Sequence, residues 1–280
     1  MREAAERWFG HRELLPGQEE AVQALLDGRD VLLVAPTGAG KSLAYQLAGL
    51  LLDGCTVVVS PLLALQQDQV ASLEAAGLSA ARLSSAESAE ERERILAAAG
   101  DGDLRFLLLS PEQLANPDVL ADVAALQPSL VAVDEAHCVS SWGHDFRPDY
   151  LRLGELVQQL GSPRVIAMTA TAALPTQQDI VDRLALRKAL VVLTGFERDN
   201  IALTVERFSD ADEQRERVLA IVDELSHDRG SGVVYCRTRK GAESVAEALR
   251  ERGHDAAAYH AGLSQRRRDE VHETFMAGDL

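Results

Sequence analysis

Val31-Leu32-Leu33-Val34-Ala35-Pro36-Thr37-Gly38-Ala39-Gly40-Lys41-Ser42 decides the fold. Residues 31–35 are an apolar run rich in β-branched side chains, and residues 42–52 have helical period. The stretch therefore reads as strand, glycine-containing turn and helix. Gly38 and Gly40 let the backbone turn tightly and aim its N–H groups at one centre, where the helix start adds partial positive charge. Lys41 is spaced to reach the β- and γ-phosphates of a nucleotide, and the Ser42 hydroxyl is a ligand for Mg²⁺. Position 35 is Ala where the strict eight-residue pattern has Gly. As the last residue of the strand, Ala35 is expected to tolerate that change.

Working outward, short apolar runs at 31–35, 56–60, 105–110, 130–134, 164–168 and 191–194 alternate with helical patterns at 42–52, 62–75, 87–98, 119–126 and 176–184. Strands buried on both faces and linked by helices imply an α/β domain: a mostly parallel sheet with helices on both sides. Right-handed crossovers place the strand ends on one edge, where ligands bind. This first domain is expected over residues 1–193. Residues 194–212 are polar and weakly periodic, with a β-like patch at 201–208, and read as a connection. A second unit over 213–280 has helical patterns near 213–225, at 241–252 and at 265–275, with strands expected at 232–236 and 256–259. Two strands cannot make a well-buried parallel sheet, so this unit is expected to be truncated or weakly ordered.

The composition is that of an ordinary globular protein, 46% hydrophobic and 26% charged. No uncharged apolar run is long enough to span a membrane, and the start at Met1 lacks the apolar stretch of a secretory signal. Three scattered cysteines suggest neither a disulfide framework nor a zinc site, and point to a reducing, cytoplasmic setting. The 28 basic and 44 acidic residues give a net charge of −16, which argues against a broad phosphate-binding surface and leaves room for a modest contact patch.

Leu130-Val131-Ala132-Val133-Asp134-Glu135-Ala136-His137 reads as a strand, neighbouring the phosphate-loop strand, that ends in two carboxylates. Acids at a buried strand tip are costly unless a metal or a reaction uses them. Asp134 is placed to hold Mg²⁺, and Glu135 to orient and deprotonate an attacking water. The competing reading is the polar mouth of a loop. Lys41 elsewhere in the same sheet argues against it.

The run from Asp134 through His137, Cys138, Trp142, Phe146, Arg147 and Pro148 to Tyr150 resembles the RecQ family of superfamily 2 DNA helicases. So do Ser60-Pro61-Leu62-Leu63-Ala64-Leu65, Asp68-Gln69-Val70, Thr169-Ala170-Thr171-Ala172, Tyr235-Cys236 and Tyr259-His260-Ala261-Gly262-Leu263. The resemblance implies a RecA-like first domain followed by an incomplete second RecA-like domain, with ATP between the two. It implies that Gln18, in Pro16-Gly17-Gln18, reads adenine, and that residues 35–42, Thr37 and Ala39 included, hold its phosphates. The segment 137–150 would sense single-stranded DNA. Trp142 and Phe146 would offer stacking faces there and Arg147 a phosphate contact or stacking plane, although Trp142 can instead pack inward. His137, Thr169 and Thr171 would couple nucleotide state to DNA, with a capping role as the alternative for the threonines. Arg237 and His260 would face DNA and the first domain. Arg266-Arg267-Arg268 is either a phosphate contact or an exposed helix start.

The chain departs from the family at Leu14-Leu15, where an aromatic–arginine pair is usual, and at Gln67, where lysine is common. The family's last two motifs, including its arginine finger, are expected beyond Leu280, and its zinc-binding and winged-helix regions are absent from residues 1–280. The resemblance thus implies a Mg-ATP-driven helicase core that moves 3′ to 5′ on single-stranded and partly duplex DNA. Residues 1–280 alone are expected to bind ATP and turn it over slowly. The alternative is a nucleotide-gated, non-motor binding module.

Overall fold

Seven apolar segments form strands: β1 (Val31–Val34), β2 (Thr56–Val59), β3 (Ala80–Leu83), β4 (Phe106–Leu109), β5 (Leu130–Val133), β6 (Arg164–Thr169) and β7 (Leu190–Leu193). In this computed structural model, the residues described are 1–61, 63–85, 87–140, 148–195, 201–225 and 230–280. The strands pair in the order β3-β4-β2-β5-β6-β1-β7, every pair parallel.

Side chains alternate between two cores, as the strand period requires. Leu32, Val34, Val57, Val59, Val131 and Val133 face one cluster. Val31, Leu33, Val58, Leu130 and Ala132 face the other. Helices α1 (Arg2–Phe9), α2 (Gln18–Leu26), α3 (Lys41–Leu51) and α4 (Leu63–Ala75) cover the second face. The first is covered by α5 (Ala89–Gly100), α6 (Pro111–Leu114), α7 (Pro117–Ala125), α8 (Leu153–Gln159) and α9 (Leu174–Arg183). None of the described helices is long and apolar enough to cross a membrane.

Two expectations about this sheet need correcting. β5 does not neighbour β1, because β6 lies between them and pairs with both. Apolar runs identify strands but not which strands adjoin. β5 also stops at Val133, so Asp134 and Glu135 belong to the turn that follows. The edge strand β3 is an addition: Ala80-Ala81-Arg82-Leu83 is short and mixed, and only Ala80 and Leu83 are buried.

The chain divides into two units, Met1–Arg198 and Asp199–Leu280. The second contains α10 (Ala211–Leu225), α11 (Arg239–Glu251) and α12 (Gln265–Ala277), with a small cluster around Leu219, Ala248 and Leu249. Its expected strands at 232–236 and 256–259, and the β-like patch at 201–208, form no ladder among the described residues. A strand needs a hydrogen-bonded neighbour, and the segments at 201–208 and 232–236 leave most of their apolar side chains in water. Tyr235 is 94% exposed and Leu203 90%.

At the edge where the strands begin, Asp30 fastens three of them. Its buried carboxylate accepts the Val165 N–H at 2.9 Å and the Arg187 backbone and Nε N–H groups at 2.6 and 3.3 Å. Replacing Asp30 by Ala strands two backbone donors, so Asp30→Ala is expected to lower unfolding stability by about 2–4 kcal/mol in urea titration. Asp30→Asn, which keeps one acceptor oxygen, should cost less.

Candidate nucleotide-binding site

The edge where the strands end carries the candidate chemistry. After β1, the loop turns through Gly38 and Gly40, whose φ angles of 84° and 64° lie in the left-handed region that favours glycine. A Cβ on Gly40 would also meet the Gln18 amide nitrogen at 2.6 Å. Thr37 is exposed and Ala39 half-buried in this loop, and Ser42 lies in the first turn of α3. Lys41 opens that helix, and its Nζ donates to the carbonyls of Ala35 and Pro36 at 2.9 and 3.2 Å. Burial lowers the Lys41 pKa, while the negative charges of Glu135 and Asp134 oppose that shift. Ammonium and carboxylates thus share one edge, although β6 separates their strands.

Asp134 is half-buried in the turn after β5. Its N–H donates to Val59, and its side chain accepts the Glu135 N–H at 3.0 Å and Gln69 Nε2 at 3.3 Å. Burial and the adjacent Glu135 raise its pKa; the two hydrogen bonds and Lys41 pull the other way. Glu135 has φ 48°, a left-handed angle that is strained for a residue with a Cβ. Its carboxyl is held below the usual range by the His137 hydrogen bond, against burial, with further help from the His137 and Lys41 charges.

His137 Nδ1 lies 3.2 Å from Glu135 Oε2 and 2.9 Å from Thr169 Oγ1. The Thr169 hydroxyl donates to the Thr171 carbonyl at 3.1 Å. Its oxygen must therefore accept from His137, which puts a proton on Nδ1. The His137 pKa is pushed up to about 10 by the Cys138 sulfur, 3.9 Å from Nε2, and by Glu135, with burial opposing. Of the two, the carboxylate is the stronger physical cause, since a neutral thiol hydrogen-bonds weakly.

Gln18 is buried. Its Oε1 accepts the Leu15 N–H at 2.8 Å, and its Nε2 donates to Gly40 and Ala39 carbonyls at 2.9 and 3.2 Å. The amide expected to read adenine here braces the phosphate loop. An open cavity of about 530 Å³ lies beside it, lined by Leu14, Leu15, Pro16, Gly17, Glu19 and Gln23 among others. Another of about 480 Å³, with Arg164 and Arg187 in its wall, lies at the opposite edge and takes no part in this chemistry.

Thr169 is fully buried and Thr171 exposed. Trp142, Phe146 and Arg147 lie outside the described residues. Arg237 is exposed in the second unit. His260 there is tied to Glu243 of α11 at 3.1 Å and accepts the Gly262 N–H.

Two contributors went unassigned in the sequence. Gln69 links Asp134 to the buried Tyr45, whose hydroxyl donates to Gln69 Oε1 at 3.3 Å. Tyr150 donates to the Asp134 carbonyl at 3.1 Å. The available signal was the spacing of Gln66 and Gln69, three apart on a helix; Gln66 likewise reaches in, donating to the Ser60 carbonyl at 2.7 Å.

The donor set suits Mg²⁺. Ser42 and Asp134 offer only oxygen, and the described residues contain no cluster of three His, Cys, Asp or Glu that would hold another metal. Mg²⁺ takes one or two protein oxygens with phosphates and water, and a cation would relieve the raised Asp134 pKa.

Residues 15–180, more than half of the chain, match the family model described as DEAD/DEAH box helicase. The chain belongs to that family.

Within the DEAD/DEAH box helicases it is closely related to bacterial RecQ proteins. It is 42% identical to a probable ATP-dependent DNA helicase RecS of Bacillus subtilis, covering 98% of this chain and 55% of that protein. It is 40% identical to the ATP-dependent DNA helicase RecQ of Haemophilus influenzae, covering 97% and 43%. The chain thus spans about half the length of these curated relatives. Among solved structures, the DUF1998 helicase MrfA bound to DNA superposes with a TM-score of 0.70 at 17% identity, covering 94% of this chain and 38% of that one. The Mycobacterium smegmatis helicase Lhr, bound to ssDNA and AMP-PNP, gives 0.64 at 19% identity, covering 99% and 40%. At such identity these likenesses speak for the fold, a RecA-like parallel sheet with helices on both faces.

The Glu135–His137 pair makes stability depend on pH in both directions. The depressed Glu135 pKa contributes stability above the ordinary carboxylate value, lost as pH falls through the folded value. The raised His137 pKa contributes stability fully present below the ordinary imidazole value, lost as pH rises towards about 10. The stability gap between wild type and His137→Ala should therefore be widest between roughly pH 4.5 and 6.5, and on the order of 1 kcal/mol for a partly exposed pair. Urea titration across pH 3–10 measures it, and a gap that does not vary with pH removes the charge pairing.

Proposed function

We propose that this protein is an ATP-dependent DNA helicase that couples Mg-ATP hydrolysis to movement 3′ to 5′ along single-stranded DNA and so unwinds duplex. The observation that carries this reading is the shared edge of Lys41, Asp134 and Glu135 with their mutual electrostatic influence. The relatives named as ATP-dependent DNA helicases support it.

In this reading backbone N–H groups within residues 37–42 would bind the phosphates, and Lys41 would leave its two carbonyl partners for the β- and γ-oxygens. Ser42 and Asp134 hold Mg²⁺, which when bound neutralises charge on those oxygens. Glu135 orients the attacking water and takes its proton at the carboxylate; His137 and Lys41, which keep it ionised, hold it ready to accept. Gln18 would exchange one loop carbonyl for the base, linking adenine recognition to loop shape. The His137–Thr169–Thr171 chain would carry nucleotide state towards DNA, which Trp142, Phe146, Arg147, Arg237 and His260 would contact.

Residues 213–280 would begin a second RecA-like domain, joined through 194–212. As the described part of that unit forms no sheet, residues 1–280 alone should turn over ATP slowly. A cytoplasmic setting, at the nucleoid if the protein is bacterial, fits this activity.

The test is ATPase rate with and without single-stranded DNA, and strand separation, in the full-length gene product. Lys41→Ala and Glu135→Gln should each lower DNA-stimulated kcat about 10²–10³-fold, Glu135→Gln while still binding ATP. Turnover by Glu135→Gln close to wild type would remove Glu135 from the chemistry. ATP-dependent partner binding without DNA stimulation or unwinding would instead favour a non-motor module.

A further inference from the structure

Among the described residues, hydrogen bonds join the stretch that follows β5 to the end of β6 and to α9. One is the His137–Thr169 contact. The other lies farther from the strand tips, where Ser140 Oγ donates to Asp179 Oδ2 at 2.8 Å. Ser140 is fully buried, and the sequence runs from it directly into residues 141–147. A buried hydroxyl bound to a carboxylate is one of the stronger neutral-to-charged hydrogen bonds a protein makes.

Asp179 is well placed to act as an anchor. It sits on α9, and its neighbour Ile180 is fully buried in the core. One turn on, Arg183 Nε lies 3.8 Å from the same carboxylate oxygen that Ser140 contacts. Near the start of the helix, Gln177 Nε2 donates to the Ala172 carbonyl at 2.9 Å, tying α9 to the end of Thr169-Ala170-Thr171-Ala172. A shift of the stretch after β6 therefore reaches Ser140 through the helix as well as through His137.

We infer that Asp179 is a positioning residue for DNA-coupled ATP hydrolysis: it fixes Ser140, and with it the origin of the segment that follows, relative to the Thr169–Thr171 stretch. This rests on the reading of 137–150 as DNA-responsive. Asp179 contacts Ser140 and Arg183 rather than Lys41, Asp134 or Glu135. Its loss should leave the hydrolytic edge intact and weaken only the transmission of DNA binding to it.

The experiment is ATPase rate against single-stranded DNA concentration in the full-length protein, for wild type, Asp179→Ala, Asp179→Asn, Ser140→Ala and the Ser140→Ala/Asp179→Ala pair, with a thermal melt of each. DNA-free turnover and the KM for ATP in Asp179→Ala should stay within about twofold of wild type. DNA-stimulated kcat should fall about tenfold, the change expected when one hydrogen bond to a charged group is lost. Asp179→Asn, which retains an acceptor oxygen, should recover most of that loss. The paired variant should lose no more than the worse single one, since both remove the same bond. Equal loss of basal and stimulated rates, additive losses, or an unchanged stimulated rate in a DNA-responsive protein each overturns the assignment while leaving the helicase reading standing. A wild-type rate that ignores DNA overturns both.

Discussion

Seven parallel strands deliver their chain ends to one edge, and there Lys41, Asp134 and Glu135 must stay charged with little bulk water to separate them. Burial works against every one of these charges. What holds them is His137 beside Glu135 together with the opposite charges: the ammonium favours both ionised carboxylates, and the carboxylates favour the ammonium. Asp134 remains the most stressed member, because Glu135 lies next to it in the chain and Gln69 contributes only an amide. A site arranged in this way gains from a divalent cation and a polyphosphate arriving together, since each offsets a charge the fold has left partly uncompensated.

The surroundings of that edge are built to limit its movement. The loop after β1 rests on Gln18, and the turn after β5 is held by Glu135, Gln69 and Tyr150 at Asp134 alone. β6, inserted between β1 and β5, brings Thr169 level with the end of β1 and against His137. This intervening strand thus pairs with both of the strands that lead into the Lys41 and Asp134 turns, so a change at either can be felt at its tip. A direct β1–β5 pairing would have left no element between them to carry such a signal.

Much of this was legible in the residues. Runs such as Val31-Leu32-Leu33-Val34 and Phe106-Leu107-Leu108-Leu109 admit few readings other than a strand buried on both faces. The glycines and Lys41 placed the turn between β1 and α3 within a residue or two of its position. Strand order was not legible, because periodicity describes one segment at a time and adjacency depends on crossovers. β3 escaped notice because an edge strand with Ala and Arg lacks the apolar run that marks a central one. In the second unit the pattern over-read: Val233, Val234 and Tyr235 have strand character, yet they join no ladder and stay exposed. Gln69 and Tyr150 could not be assigned roles because their task is to satisfy groups that only the folded edge brings near.

The strong acidity of the chain looks different once partners are known. In the second unit, Arg217 is shared by Glu206 and Glu224, Arg252 by Glu216 and Asp223, and Glu270 takes both Arg266 and Arg267. Cations engaged in this way are poor candidates for an electrostatic field that gathers DNA from a distance, because each is screened by its own acid before any phosphate approaches. Arg266 and Arg267, in the exposed first turn of α12, both pair with Glu270. Arginines paired in this way add little to any salt-dependent attraction for phosphates.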